Sequence, residues 1–143
     1  MKASLQNGFT LVELLVTLAV AVILAVIAVP GFQNMLATSD LNAAQESFVQ
    51  ILKEGRAMAI SRSTIATVTI TGNVATLTLA DGSTPSTSIT ASSRVGVNAD
   101  ATYSFDPAGI ATASSTILNV PNMTGISART ITVTTTGQIN VTR

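Results

Sequence analysis

Asn7-Gly8-Phe9-Thr10-Leu11-Val12-Glu13-Leu14-Leu15-Val16 opens an apolar run that continues to Val29. A short polar leader meets a Gly, then a Phe, then an apolar helix that carries one carboxylate. From Phe9 to Val29 such a helix reaches about 30 Å, at about 1.5 Å per residue, the thickness of a bilayer's hydrocarbon core. An ionised group at that depth costs several kcal/mol, so the lone Glu13 needs a partner and marks a function. The flanks differ from those of an ordinary secretory signal, in which the small-residue cut site follows the apolar region. Here the small residue, Gly8, precedes it. A cut after Gly8 leaves the anchor on the mature chain and creates an ammonium on Phe9. Phe9 and Glu13 are i and i+4 neighbours on one helix; between subunits, the same ammonium reaches the Glu13 of an adjacent copy.

Length and composition agree with a small exported subunit. The chain has 143 residues, seven basic and seven acidic side chains, and no Cys, His or Trp. That is room for one anchor and one modest domain. Without residues 1–8 the chain loses Lys2 and keeps six basic side chains against seven acidic ones. Such a balance gives no electrostatic case for a polyanion partner. Without Cys there is no disulfide staple.

Beyond the anchor, Pro30-Gly31 is expected to bend or interrupt the helix, because Pro removes a backbone donor and clashes with the preceding turn. Helical patterning resumes afterwards. Leu41, Ala44, Phe48, Ile51, Leu52, Gly55 and Ala59 recur at spacings that form one face. Glu46, Lys53 and Glu54 lie off that face. This stripe reads as a helix packed on its own sheet, with Gly55 and Ala59 letting the sheet approach closely. Ser39 or Asp40 is the place for a capped restart, unless the helix simply continues. Arg56 and Arg62 read as solvated or ion-paired helix residues.

From Thr64 the period changes to two. Ala66, Val68 and Ile70 alternate with threonines, as do Ala75, Leu77 and Leu79, and Thr71-Gly72-Asn73 between them gives a β-hairpin. Asp81-Gly82 ends it, and the Ser/Thr-rich stretch 83–93 with Pro85 reads as an exposed loop. Short strands are expected at 94–97, 102–105 and 116–120. Asp106-Pro107-Ala108-Gly109 forms a turn between two of them, with Asp106 as turn former. A terminal hairpin, 130–135 and 138–142, closes near Thr136-Gly137.

Gly8-Phe9-Thr10-Leu11-Val12-Glu13, with Pro30 further on, resembles the class III leader junction of type IV pilins and type II secretion pseudopilins. Leu52-x-x-x-Arg56-x-x-Ala59-Ile60-x-Arg62, Tyr103-Ser104-Phe105-Asp106-Pro107-Ala108-Gly109 and Ala128-Arg129-x-Ile131-x-Val133-x-x-x-Gly137-x-Ile139-x-Val141 are similar to the GspH/FimT branch of that family. The resemblance implies an α+β pilin fold: a long N-terminal transmembrane helix packed on a small antiparallel β-sheet or β-sandwich head. It divides the chain into a leader (1–8), a transmembrane and assembly helix (9–30), an amphipathic continuation of the anchor (31–62) and a β-rich head (63–143). It implies cleavage and N-methylation at Gly8 and Phe9 by prepilin peptidase, an assembly contact at Glu13 and a helix bend at Pro30 and Gly31. The implied life history begins as a single-pass protein of the bacterial inner membrane, in contact with lipid and with its head in the periplasm. An inner-membrane assembly platform then passes the subunit to other pilin subunits in a pilus or pseudopilus.

The expected function is that of a minor pilin or pseudopilin in a type IV pilus or type II secretion machine, with two alternatives: a DNA-binding minor pilin for natural transformation, or a major filament subunit. Some FimT-like minor pilins carry a basic C-terminal motif after a Gly. Here that place reads Gly137-Gln138-Ile139-Asn140, which leaves Arg129 and Arg143 as weak DNA-contact candidates. Phosphate neutralisation depends on Lys and Arg, and no aromatic platform for bases is present, so nucleic acid is disfavoured. Without His or Cys, the general-base candidates reduce to scattered carboxylates such as Asp100 and Asp106. No metal-ligand cluster, phosphate loop or nucleophile elbow occurs. The sequence therefore predicts no enzyme, no metal and no cofactor.

Overall fold

The computed structural model describes residues 9–82, 87–121 and 123–143; the leader call, Gly8 included, lies outside them. The chain divides into two compact units, one ending at Met35 and the other running from Leu36 to Arg143. One helix, α1, spans Leu11–Arg62, 52 residues. Up to Met35 every described residue is exposed, so the first unit presents apolar side chains all round. No part of its 18-residue window of highest hydropathy is buried, and it is long and apolar enough to cross a membrane.

The helix is not interrupted at Pro30–Gly31 or at Ser39–Asp40. Proline there removes one hydrogen bond from a long ladder, and long apolar helices tolerate that local loss. Asp40 is not a cap either. Its Oδ2 accepts from Arg94 Nη1 and from Ser92 Oγ, each at 3.1 Å, which ties the running helix to the head.

In the second unit the apolar stripe of α1 turns inward. Ala37, Leu41, Ala44, Phe48, Ile51, Leu52, Gly55 and Ala59 are all buried. They pack in one core with both sheets. A Cβ added at Gly55 would stand 2.9 Å from Val68 Cγ2 and 3.2 Å from Leu77 Cδ1, so the glycine is what lets helix and sheet approach at this point.

The first sheet has the order β3-β2-β1-β5 and the second β4-β6-β7-β8, all neighbours antiparallel. β1 (Ala66–Thr71) and β2 (Val74–Leu79) form the expected hairpin. Pairing of Ala66 with Leu79, Val68 with Leu77 and Ile70 with Ala75 puts these six apolar residues on the core face. Thr71 pairs with Val74, so Gly72-Asn73 is a two-residue loop. Gly72 takes φ +59° at its first central position, where a II′ hairpin turn wants a glycine.

β5 (Ala101–Phe105) and β6 (Ser114–Asn119) lie in different sheets. The turn between them is built on Asp106, whose Oδ1 accepts from the amides of Ala108 and Ile110 at 2.9 and 2.8 Å. β7 (Arg129–Val133) and β8 (Ile139–Thr142) form the terminal hairpin. β4 is only Gly96–Val97. β3 (Ser88–Thr90) forms where the Ser/Thr composition reads as loop; as an edge strand of three residues it needs pairing on one side only. The rest of that loop call, 83–86, lies outside the described residues.

Candidate functional site

The polar start of α1 is built on a local cap. Thr10 stands immediately before the helix, and its Oγ1 accepts the Glu13 amide at 3.2 Å while its carbonyl accepts the Leu14 amide at 3.2 Å. Thr10-x-x-Glu13 has the spacing of a capping box, in which the hydroxyl satisfies an orphan amide of the first turn. That signal is legible in the sequence, and the functional reading of Glu13 passed over it. The cap holds Glu13 in the first turn, where a carboxylate is favoured by the helix dipole. Phe9 is 80% exposed at the head of this turn. Among the described residues no basic group pairs with the Glu13 carboxylate. Pro30 and Gly31 sit inside the helix, and a Cβ added at Gly31 meets nothing within 4 Å.

The two arginines weighed for DNA contact come together but are not equivalent. Both line a shallow groove with Asn42, Gln45 and Glu46. Arg143 is exposed. Arg129 is 5% exposed and donates to the Ser127 carbonyl at 3.0 Å and to Asn42 Oδ1 at 3.3 Å. A guanidinium so placed would have to leave its partners to reach a phosphate.

Arg56, expected to be solvated or ion-paired, is instead half-buried and engaged with two backbone carbonyls. Its Nε donates to the Gly109 carbonyl at 3.1 Å and its Nη2 to the Thr136 carbonyl at 3.2 Å. One helix side chain thus fastens the β5–β6 turn and the β7–β8 turn. Gly137, at φ +74°, packs against both Arg56 and the Gly109 carbonyl, so no side chain fits there. Nothing in the local sequence announces this cluster, because its three parts are some 50 and 80 residues apart along the chain.

In the core, Tyr103 Oη donates to the Ile131 carbonyl at a long 3.5 Å. Burial pushes its phenol above the ordinary value of 10.0, opposed more weakly by the Thr116 hydroxyl beside it. Thr116 Oγ1 itself is buried without a well-formed hydrogen bond. Among the described residues no three His, Cys, Asp or Glu side chains gather closely enough to hold a metal.

Residues 4–29 match the prokaryotic N-terminal methylation motif. Over about three quarters of the chain the fold resembles that of the type IV minor pilin FimU of Pseudomonas aeruginosa. In one crystal form the TM-score is 0.60 at 17% identity, covering 73% of this chain and 90% of FimU; in another it is 0.58 at 18% identity, covering 72% and 93%. At that identity the likeness establishes the fold.

The chain is a type IV pilin-like protein.

This pilin-like chain is also 51% identical to the type IV major fimbrial protein FimA of Dichelobacter nodosus over 39 residues. That match takes in 27% of this chain and 25% of FimA, so this chain is matched to only about a quarter of FimA's length.

Proposed function

We propose that this chain is a minor pilin or pseudopilin, cut between Gly8 and Phe9 by prepilin peptidase, methylated on Phe9 and assembled through α1 into a type IV pilus or type II secretion pseudopilus. Before assembly the apolar segment 9–30 anchors the subunit in the inner membrane with the head, 63–143, in the periplasm. The platform of the assembly machine then moves the anchor from lipid into a bundle of like helices.

The observation that carries this reading is the first turn of α1. A capped helix start holds a carboxylate among exposed apolar side chains, with no basic partner among the described residues. In the dry centre of a helix bundle that carboxylate needs a cation, and the Phe9 ammonium of a neighbouring subunit supplies one. A desolvated pair of this kind sets register more than it adds net stability, because desolvation offsets much of the attraction. Leaving one member unpaired is what costs most, roughly 3–5 kcal/mol. Glu13→Ala is therefore expected to insert in the membrane as wild type does and to be depleted from filaments sheared off the cells. An immunoblot of sheared and membrane fractions reads both, and normal incorporation of the variant removes the pairing.

The minor role is favoured over the major one by where the likenesses fall. The likeness of fold to a minor pilin takes in 73% of this chain, whereas the likeness in sequence to a major pilin takes in 27%. A DNA-uptake role has less support. Arg129 is buried and occupied by Ser127 and Asn42, and Gln138 and Asn140 stand where a basic motif would need cations.

A further inference from the structure

The charges of the head are not evenly spread. Six basic side chains remain beyond the leader, and four of them, Lys53, Arg56, Arg129 and Arg143, border one seam between α1 and β8. Glu46 is the one acidic side chain there. The seam opens as two cavities of about 520 and 350 Å³, each lined by α1 on one side and by the β8 hairpin arm on the other. On the helix side, Asn42, Glu46, Lys53, Arg56 and Ile60 recur at spacings of three, four and seven, which is one flank beside the buried stripe.

The strand side is an unpaired sheet edge. β8 ends the order β4-β6-β7-β8. The Thr134 amide donates to the Gln138 carbonyl at 2.9 Å, which makes Thr134–Gln138 a hydrogen-bonded pair. Antiparallel ladders alternate, so Thr132–Asn140 and Thr130–Thr142 are hydrogen-bonded pairs as well. The amides and carbonyls of Ile139 and Val141 therefore point away from β7. Such a row of donors and acceptors is a template for another strand. Sheet edges that resist pairing carry a charge or a proline on the strand itself; Ile139, Asn140, Val141 and Thr142 carry neither.

We infer that the seam between α1 and β8 is a strand-acceptor site for an extended acidic segment of a partner polypeptide, which adds to the second sheet beside β8. Main-chain pairing to Ile139 and Val141 gives the segment its direction and register, and alternate side chains meet the seam. Lys53 and Arg143 are the exposed cations that select acidic residues. Arg56 and Arg129 keep their carbonyl and amide partners and contribute charge without moving. The electrostatics favour a polypeptide over DNA: two mobile cations suit a few carboxylates, whereas phosphate backbones bind through many neutralised charges. The site lies wholly in the unit from Leu36 to Arg143 and does not depend on how the segment before it is used.

The test uses the chain from Phe9 to Arg143 in detergent micelles, titrated with two labelled nine-residue peptides, one alternating Glu and Val, the other Lys and Val. The acidic peptide is expected to bind at least roughly tenfold more tightly than the basic one. It should also slow amide exchange at Ile139 and Val141. Lys53→Glu should weaken the acidic peptide roughly tenfold. Val141→Pro should abolish the added protection, because proline removes an outward amide that the β7 ladder does not use. Lys53 is an exposed helix residue, so its variant reports even if the proline variant fails to fold. Equal affinity for both peptides, or unchanged exchange at Ile139 and Val141, overturns the inference. So does displacement of the peptide by a single-stranded oligonucleotide at physiological salt. Protection of the same two amides by self-association without peptide also overturns it, and assigns the seam to a second copy.

Discussion

Single residues carry more of this molecule's organisation than its plain composition suggests. Ser63 ends α1 in a conformation that suits glycine. It takes φ +51°, its amide donates to the Ile60 carbonyl, and the next amide, of Thr64, reaches back to Ala59. This is the Schellman arrangement, in which the left-handed position is usually Gly. Because a side chain there costs roughly 1 kcal/mol, Ser63→Gly is expected to raise stability by about that amount, read as a higher denaturation midpoint with unchanged slope. Tyr103 makes a pH-dependent contribution. Its phenol is raised in the folded state by burial, so the folded chain holds that proton more firmly than the unfolded one. Its share of stability is complete below the unfolded value near 10 and is lost as the pH rises above it. The alkaline fall in stability should be shallower in Tyr103→Phe, measured by denaturant titrations at pH 9, 10 and 11. At Thr10, the pattern Thr-x-x-Glu encodes a helix cap at the same residue whose charge lacks a basic partner among the described residues. The cap and the proposed assembly contact are compatible, since the cap positions the carboxylate through the backbone amide of Glu13 and does not neutralise its charge.

At the scale of elements, what was legible followed from periodicity. The stripe from Leu41 to Ala59 and the alternation in β1 and β2 each placed the correct residues inside, because burial of one face is a local property of the pattern. Gly55 is the sharpest case. A small residue on the buried face announced a close approach, and Val68 and Leu77 fill that space. Gly55→Val should cost roughly 1–3 kcal/mol through overpacking, seen as a lower melting temperature of the head; an unchanged melting temperature would show that the β1–β2 hairpin moves aside freely. What was not legible depended on partners far along the chain. Asp40 looked like a cap because Ser/Asp is cap chemistry, and its true partner Arg94 is 54 residues away. Arg56 looked solvated for the same reason. β3 was hidden because a three-residue edge strand of Ser, Ile and Thr has the composition of a loop. Pro30 allowed either a bend or a break by local rules, and the ladder on both sides carries the helix through.

At the scale of the whole molecule, the chain joins two designs. The first unit has no buried residue among those described and is stable only in an apolar surrounding, lipid or a bundle of like helices. The second has a core of its own that seats α1 against two sheets. Such a division suits a subunit whose anchor changes surroundings while its head keeps its fold. The fold is fully expressed in the helix and the sheets, whereas the proposed assembly function rests on five residues, Phe9 to Glu13, and on the proposed cut that precedes them. The measurement that tests this account most directly is the intact mass and N-terminal sequence of the chain recovered from sheared filaments. The account predicts a chain that begins at methylated Phe9, and a Gly8→Leu variant that keeps its leader and is missing from the filaments. Recovery of an uncut chain beginning at Met1 in those filaments would contradict it.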